Sequence, residues 1–250
     1  MQMIILTAIG VGGATLVGAI VGLFFKNVSH KVNDIILSFA AGIMLAAAIL
    51  GLIQPSVDIV GKEGLWITLA GILTGAVFLN VMDRITPHLH KITGVDIEEH
   101  NNNRNLNGAL LFMLAVAIHN LPEGMAAGVG FAGEDTGAAL TVTAGIILQN
   151  IPEGIVTVSP LIVAGVKSGR AFLLAAVTGM IEVVGTFLGY FLAGLSENIL
   201  PFALAFAGGT MLYIISDEMI PETHSHGYER IATYSLLVGF MVMLGMDTLL

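Results

Sequence analysis

Long runs of apolar residues, interrupted by short polar breaks, leave this chain few ways to fold. A helix needs about 20 mostly apolar residues to cross a bilayer, and eight such runs can be laid out in order. They lie near 3–25, 33–54, 64–83, 107–131, 138–163, 170–194, 199–220 and 232–250. Of the 250 residues, 56% are apolar and only 11% charged, against about 25% charged in a soluble domain. The expected fold is therefore all-α and polytopic in the membrane, a single transmembrane domain over 1–250 with no room for a separate soluble one. The first run has no basic residues before it and Lys26 after it, the reverse of a secretory signal. With 9 Lys and Arg against 18 Asp and Glu, nucleic acid is not an expected partner. The absence of cysteine excludes disulfides and thiolate chemistry.

Cytoplasmic loops are enriched in Lys and Arg. Lys26, Lys31, Arg84, Lys91, Arg104, Lys167, Arg170 and Arg230 all fall in the odd-numbered connections, and only Lys62 in an even one. The odd connections are thus expected in the cytoplasm and both termini outside it. The one extended connection, 84–106, is polar and expected to be mobile.

Span 4 contains His119-Asn120-Leu121-Pro122-Glu123-Gly124, and span 5 repeats the pattern as Gln149-Asn150-Ile151-Pro152-Glu153-Gly154. The short connection between these spans makes them antiparallel, so the repeat implies a local two-fold axis in the membrane plane, as in many transporters. Glu123 and Glu153 lie about 16 and 15 residues into their spans, roughly 22–24 Å along a helix and still within the bilayer. Positions i, i+1 and i+4 share a broad helix face, which lets His119, Asn120 and Glu123 converge, and likewise Gln149, Asn150 and Glu153. The prolines remove backbone donors and free the carbonyls of Ile118 and Leu148, so broken helices lining a cavity are expected here.

Span 6 adds Glu182, about 12 residues in. A central acidic residue costs roughly 2.5–3.5 kcal/mol, so three left unpaired would cost on the order of 8–10 kcal/mol. No Lys or Arg lies at comparable depth. Protons or a bound cation must compensate, and carboxylate, imidazole and amide groups suit a divalent first-row metal. Intramembrane Asn and Gln also serve as interhelical glue, and Gly185 with Gly189 is a packing pattern, but unpaired glutamates make poor glue. Met44 in span 2 is by default core filling. His88, His90, His100, His224 and His226 fall on the cytoplasmic side, where solvated loop histidines are common. Asp217, Glu218 and Glu222 cluster with His224 at the end of span 7.

The paired motifs resemble those of the ZIP (Zrt/Irt-like) family of divalent-metal transporters, in its prokaryotic branch, and the likeness extends over the chain to Asp217-Glu218-Met219-Ile220-Pro221-Glu222-Thr223-His224. The resemblance implies a bundle with inverted three-helix repeats around spans 4 and 5, similar to homodimeric elevator-type transporters of the cell (inner) membrane. It also implies a binuclear site. Carried over by position, Met44, His119, Glu123, Gln149 and Glu153 would hold the first metal. Asn120, Glu123, Asn150, Glu153 and Glu182 would hold the second, with Asp217 and Glu218 at a cytoplasmic exit. Many members carry His where this chain has Gln149, and some bacterial ones Asp where it has Asn150, which leaves the second position less acidic here.

The resulting expectation is uptake of Zn²⁺, with Fe²⁺, Mn²⁺ and Cd²⁺ as further substrates, by a protein without cofactor or enzymatic activity. No nucleotide motif is present. A channel-like cation pathway is the alternative. An intramembrane metal hydrolase is a weaker one, since no His-Glu-x-x-His motif occurs.

Overall fold

A computed structural model describes residues 1–24, 29–92, 104–133, 135–196 and 199–249, without the side chains of 83, 85–92 and 104–115. Residues 93–103 of the polar connection 84–106 thus lie outside the described residues, His100 among them, as do the side chains of His88 and His90.

Every regular element among the described residues is helical. The chain begins with α1 (Gln2–Phe24) and α2 (His30–Ala46), the latter capped by Ser29, whose hydroxyl accepts from Val32 N. A π-helical segment, Ala47–Ile53, leads from α2 into α3 (Gln54–Ile92). After α4 (Arg104–Gly130) come α5 (Thr136–Val163), capped by Asp135 on Ala138 N at 3.0 Å, and α6 (Ser168–Ala193). α7 (Leu200–Ile214) passes through a second π-helical segment, Ile215–Met219, into the short α8 (Ile220–Thr223). α9 (Glu229–Leu249) closes the chain. Six described helical segments are long and apolar enough to cross a membrane. The protein is a multi-pass membrane protein. Its outer faces are apolar stripes at helical spacing, such as Trp66, Leu69, Leu73 and Val77 on α3, and Leu173, Val177, Met180 and Val184 on α6.

The second of the six, His30–Met82, has 53 residues and is not one rod. Gly61, at φ 61° and ψ −166°, breaks it in a conformation that a residue with a Cβ resists. Ser56 and Thr68 would stand about 18 Å apart along a straight helix, yet their hydroxyl oxygens are 2.8 Å apart, so the chain reverses at Gly61. Ser56 Oγ also donates to the Pro201 carbonyl at 2.7 Å, tying this turn to the start of α7. Sequence reasoning expects a longer break at residues 55–63; instead the helix runs on to a single-residue turn.

A second expectation also needs correcting. α4 and α5 are helical through Pro122 and Pro152 and are not broken there. A helix tolerates a proline in a bundle where neighbouring helices and side chains satisfy the freed groups. The irregular turns lie instead in the two π-helical segments, with i→i+5 bonding of a kind that recurs at functional sites.

α4 lies along α6, α1 along α5 and α6, α2 along α9, and α3 along α7. These seams close through glycine. A Cβ on Gly185 would sit 2.4 Å from the Leu121 carbonyl oxygen, and one on Gly189 2.3 Å from that of Met125. This is the small-residue packing that the sequence pattern implies. Gly18 meets Ile151 O in the same way across α1 and α5, Gly239 meets Phe39 O across α9 and α2, and Gly75 meets Phe206 O across α3 and α7.

Gly128→Ala would set a methyl 1.9 Å from Thr186 O, and overpacking of this kind costs about 1–3 kcal/mol. Its melting temperature in detergent is expected to fall, whereas Gly245→Ala, with nothing within 4 Å, leaves melting unchanged.

Candidate metal-transport site

Helical spacing does on α4 and α5 what the motif suggests. His119, Asn120 and Glu123 are buried together on α4, Gln149, Asn150 and Glu153 on α5, and Glu182 on α6. Close approach of the helices comes from the last residue of each motif. A Cβ on Gly124 would stand 2.1 Å from Glu182 O, and one on Gly154 2.3 Å from Thr15 O. The motif glycines therefore serve to dock backbone on backbone rather than to loosen a turn.

A cavity of about 410 Å³ opens beside these motifs. His119, Asn120, Glu123 and Glu153 line its inner part, and Asp217, Glu218 and Glu222 its outer part. Leu37, Val116, Val156 and Ile214 supply apolar wall. Asp217 and Glu222 are exposed, so the cavity leads from buried carboxylates to acids at the surface. No lysine or arginine lines it among the described residues. Met44, Gln149, Asn150 and Glu182 do not line it and are all fully buried behind it.

At the junction of the two parts, His119 Nε2 is 2.7 Å from Glu218 Oε1. The ring N–H is not aimed along that line, so the contact is one of proximity rather than a directed hydrogen bond. Glu153 is near enough to Glu123 and Glu182 for the three to repel when charged. Glu182 is the best satisfied of them, taking hydrogen bonds from Thr15, Asn120 and Asn150. Around these groups, Glu123 Oε2, Asn120 Oδ1, Asn150 Oδ1 and both polar atoms of the Gln149 amide are buried without a hydrogen-bond partner among the described residues. Each such group costs about 1–3 kcal/mol if nothing meets it. Carboxylate and amide oxygens with one imidazole fit a divalent cation that must also leave. Among the described residues no three His, Asp or Glu side chains form a ready-made metal cluster.

Two residues beyond the sequence expectation belong to this region. Thr15 in α1 bonds Glu182 (2.8 Å to Oε1); a lone threonine in an apolar span carries no signal of that role. Asp34 in α2 is fully buried, with Oδ1 3.0 Å from His226 Nδ1, and the His226 ring stacks on His30 at 4.3 Å. This contact sets the start of α2 beside the approach to α9, so the first and last odd-numbered connections share one face. His224 is also engaged, its ring nitrogens lying 2.9 Å from Ile220 O and 3.1 Å from Thr233 Oγ1.

An all-helical membrane bundle whose buried acids open through an acid-bearing cavity to one surface is the architecture of a cation transporter. Comparison with known proteins then gives the family. A family model described as ZIP zinc transporter matches residues 96–247. The chain is 40% identical over 242 residues to zinc transporter GufA of Myxococcus xanthus, covering 94% of both proteins. It is 36% identical over 243 residues to zinc transporter ZIPB of Bordetella bronchiseptica, covering 95% of this chain and 78% of that one. It is also 30% identical over 258 residues to zinc transporter ZupT of Clostridium perfringens, covering 93% and 90%. The chain belongs to the ZIP family.

Because the chain has no cysteine, single substitutions report access directly. His119→Cys is expected to react with a membrane-impermeant thiol reagent added on the Asp217 side and not from the other. Gln149→Cys, off the cavity and fully buried, is expected to react from neither side.

Proposed function

We propose that this protein carries divalent metal cations, Zn²⁺ foremost, into the cytoplasm. The observation behind this reading is the cavity that joins Glu123 and Glu153 to Asp217, Glu218 and Glu222. An arriving cation exchanges water for Glu123, Glu153, His119 and neighbouring amide oxygens, with Met44 and Gln149 behind them. It leaves past Glu218, which already stands beside His119. Lys31 and Arg230 border the same connections as the cavity mouth, and an excess of positive charge marks the cytoplasmic side. The mouth therefore faces the cytoplasm, and release occurs there. Zinc is the cargo in the names of the relatives.

Eight spans follow when His30–Met82 is divided at Gly61 and α4, 27 residues long, is added. An inverted repeat is supported by the packing. Exchanging spans 1, 2, 3 and 4 with 6, 7, 8 and 5 turns the α1–α5 seam into α6–α4, and the α2–α9 seam into α7–α3. The two π-helical segments, in spans 2 and 7, exchange as well.

A carrier fits better than a channel, because the residues behind Glu123 and Glu153 are sealed: Met44, Gln149, Asn150 and Glu182 are each 0% exposed. The glycine seams suggest what moves. They join α1, α4, α5 and α6 into one group, and α2, α3, α7 and α9 into another. Across the boundary, glycines instead meet side chains, as Gly51 meets Val142 and Gly145 meets Met243. Such a boundary can slide. A metal hydrolase has less support, as His119 is the one imidazole on the cavity among the described residues and the relatives are named transporters.

In proteoliposomes the wild type is expected to take up Zn²⁺ with saturation and Glu153→Ala to take up none; equal uptake by both refutes the site. A Cβ at Gly51 would lie 3.6 Å from Val142 Cβ, within disulfide range. Oxidising the Gly51→Cys/Val142→Cys pair is expected to stop uptake, and reduction to restore it. Unchanged uptake in the cross-linked protein removes the sliding boundary.

A further inference from the structure

Glu182 is fully buried and accepts at both carboxyl oxygens. Thr15 Oγ1 of α1 donates to it, 2.8 Å from Oε1 and 3.0 Å from Oε2. Asn120 Nδ2 of α4 donates to Oε1 and Asn150 Nδ2 of α5 to Oε2, the latter at 2.7 Å. A carboxylate offers about four acceptor directions, and three donors, with the single Thr15 O–H shared between both oxygens, occupy most of them. Both oxygens are thus already engaged by side chains of the fold.

The consequence falls on the two asparagines. An amide is two-ended, so holding its nitrogen decides where its oxygen points. Asn150 Nδ2 reaches the Val11 carbonyl as well, at 3.2 Å, which pins that end twice. The opposite ends, Asn120 Oδ1 and Asn150 Oδ1, are buried and without partners among the described residues, as is Glu123 Oε2. Buried acceptors left open in this way are costly unless a donor or cation meets them. The short side chains of Thr15 and Asn120 can reach Glu182 because Gly124 and Gly154 let the backbones touch at Glu182 and Thr15.

We propose that Thr15 and Glu182 form a brace that holds the Asn120 and Asn150 amides with their oxygens turned to the transported cation. Glu182 is then a positioning residue and not a ligand, and the site takes one ion rather than two. This rests on the transport site proposed above. Side chains that orient a metal's ligands are worth about 10–100-fold in affinity, although they never touch the ion.

The test is Zn²⁺ titration of the purified full chain in detergent, reading both affinity and ions per chain, with melting temperature as the check on folding. The wild type is expected to bind one Zn²⁺. Thr15→Val keeps the shape of the side chain and loses the hydroxyl; it is expected to bind one Zn²⁺ about 10-fold or more weakly. Thr15→Ser loses a methyl and keeps the hydroxyl; it is expected to bind as the wild type does. A role in packing alone predicts the reverse order for these two. Glu182→Gln is expected to bind one ion with reduced affinity, because its own amide N–H₂ faces the two donors and forces one of them to flip. Two ions on the wild type and one on Glu182→Gln would make Glu182 a ligand and overturn the brace. Unchanged affinity in Thr15→Val would overturn it too. No Zn²⁺ on the wild type would instead overturn the transport site itself.

Discussion

Acidic side chains in an apolar bundle set the terms for everything else in this molecule. A carboxylate at membrane depth is tolerated only when hydrogen bonds, protons or a cation meet it. The three buried glutamates are treated differently. Glu182 is met by a threonine and two asparagines. Glu123 keeps an oxygen without a partner, and with Glu153 it lines a cavity. One acid is thus absorbed into the fold while the other two stand on a cavity. The helix contacts of α1, α4, α5 and α6 are arranged around that division.

Much of this was legible in the sequence, because a hydrophobic span and a duplicated motif are local signals. The spans, the burial of both motifs and the convergence of His119, Asn120 and Glu123 follow from apolar run length and a period of 3.6 residues. Asp217 and Glu218, which the sequence also singles out, line the cavity with them. The failures have a common cause. The turn at Gly61, the π-helical segments and the unbroken course of α4 and α5 through their prolines depend on what packs alongside. So does the partnership of Thr15 with Glu182, 167 positions apart in the chain. A period or a motif cannot report a neighbour that distant. The glycine of each motif was visible, but its reason, a backbone contact with Glu182 or Thr15, appears only once four helices are assembled.

The two motif copies share a pattern but not an environment. His119 and Asn120 face the cavity, while their counterparts Gln149 and Asn150 are sealed. In the carrier proposed above this asymmetry belongs to one state, with one half wet while the other is closed. The imidazole lies on the copy beside Glu218, and the neutral amide lies on the closed copy.

The contrast between the two kinds of helix boundary also bears on how such a molecule can diverge. Where Gly42 meets Leu236 O or Gly128 meets Thr186 O, a single added carbon collides with main chain. Drift at those positions is closed to every larger residue. Where Val142, Ile43 and Met243 meet glycine across the boundary, the touching atoms belong to side chains, and one hydrocarbon can stand in for another. Along that surface one apolar side chain can replace another without touching main chain, whereas the glycine seams tolerate no such exchange.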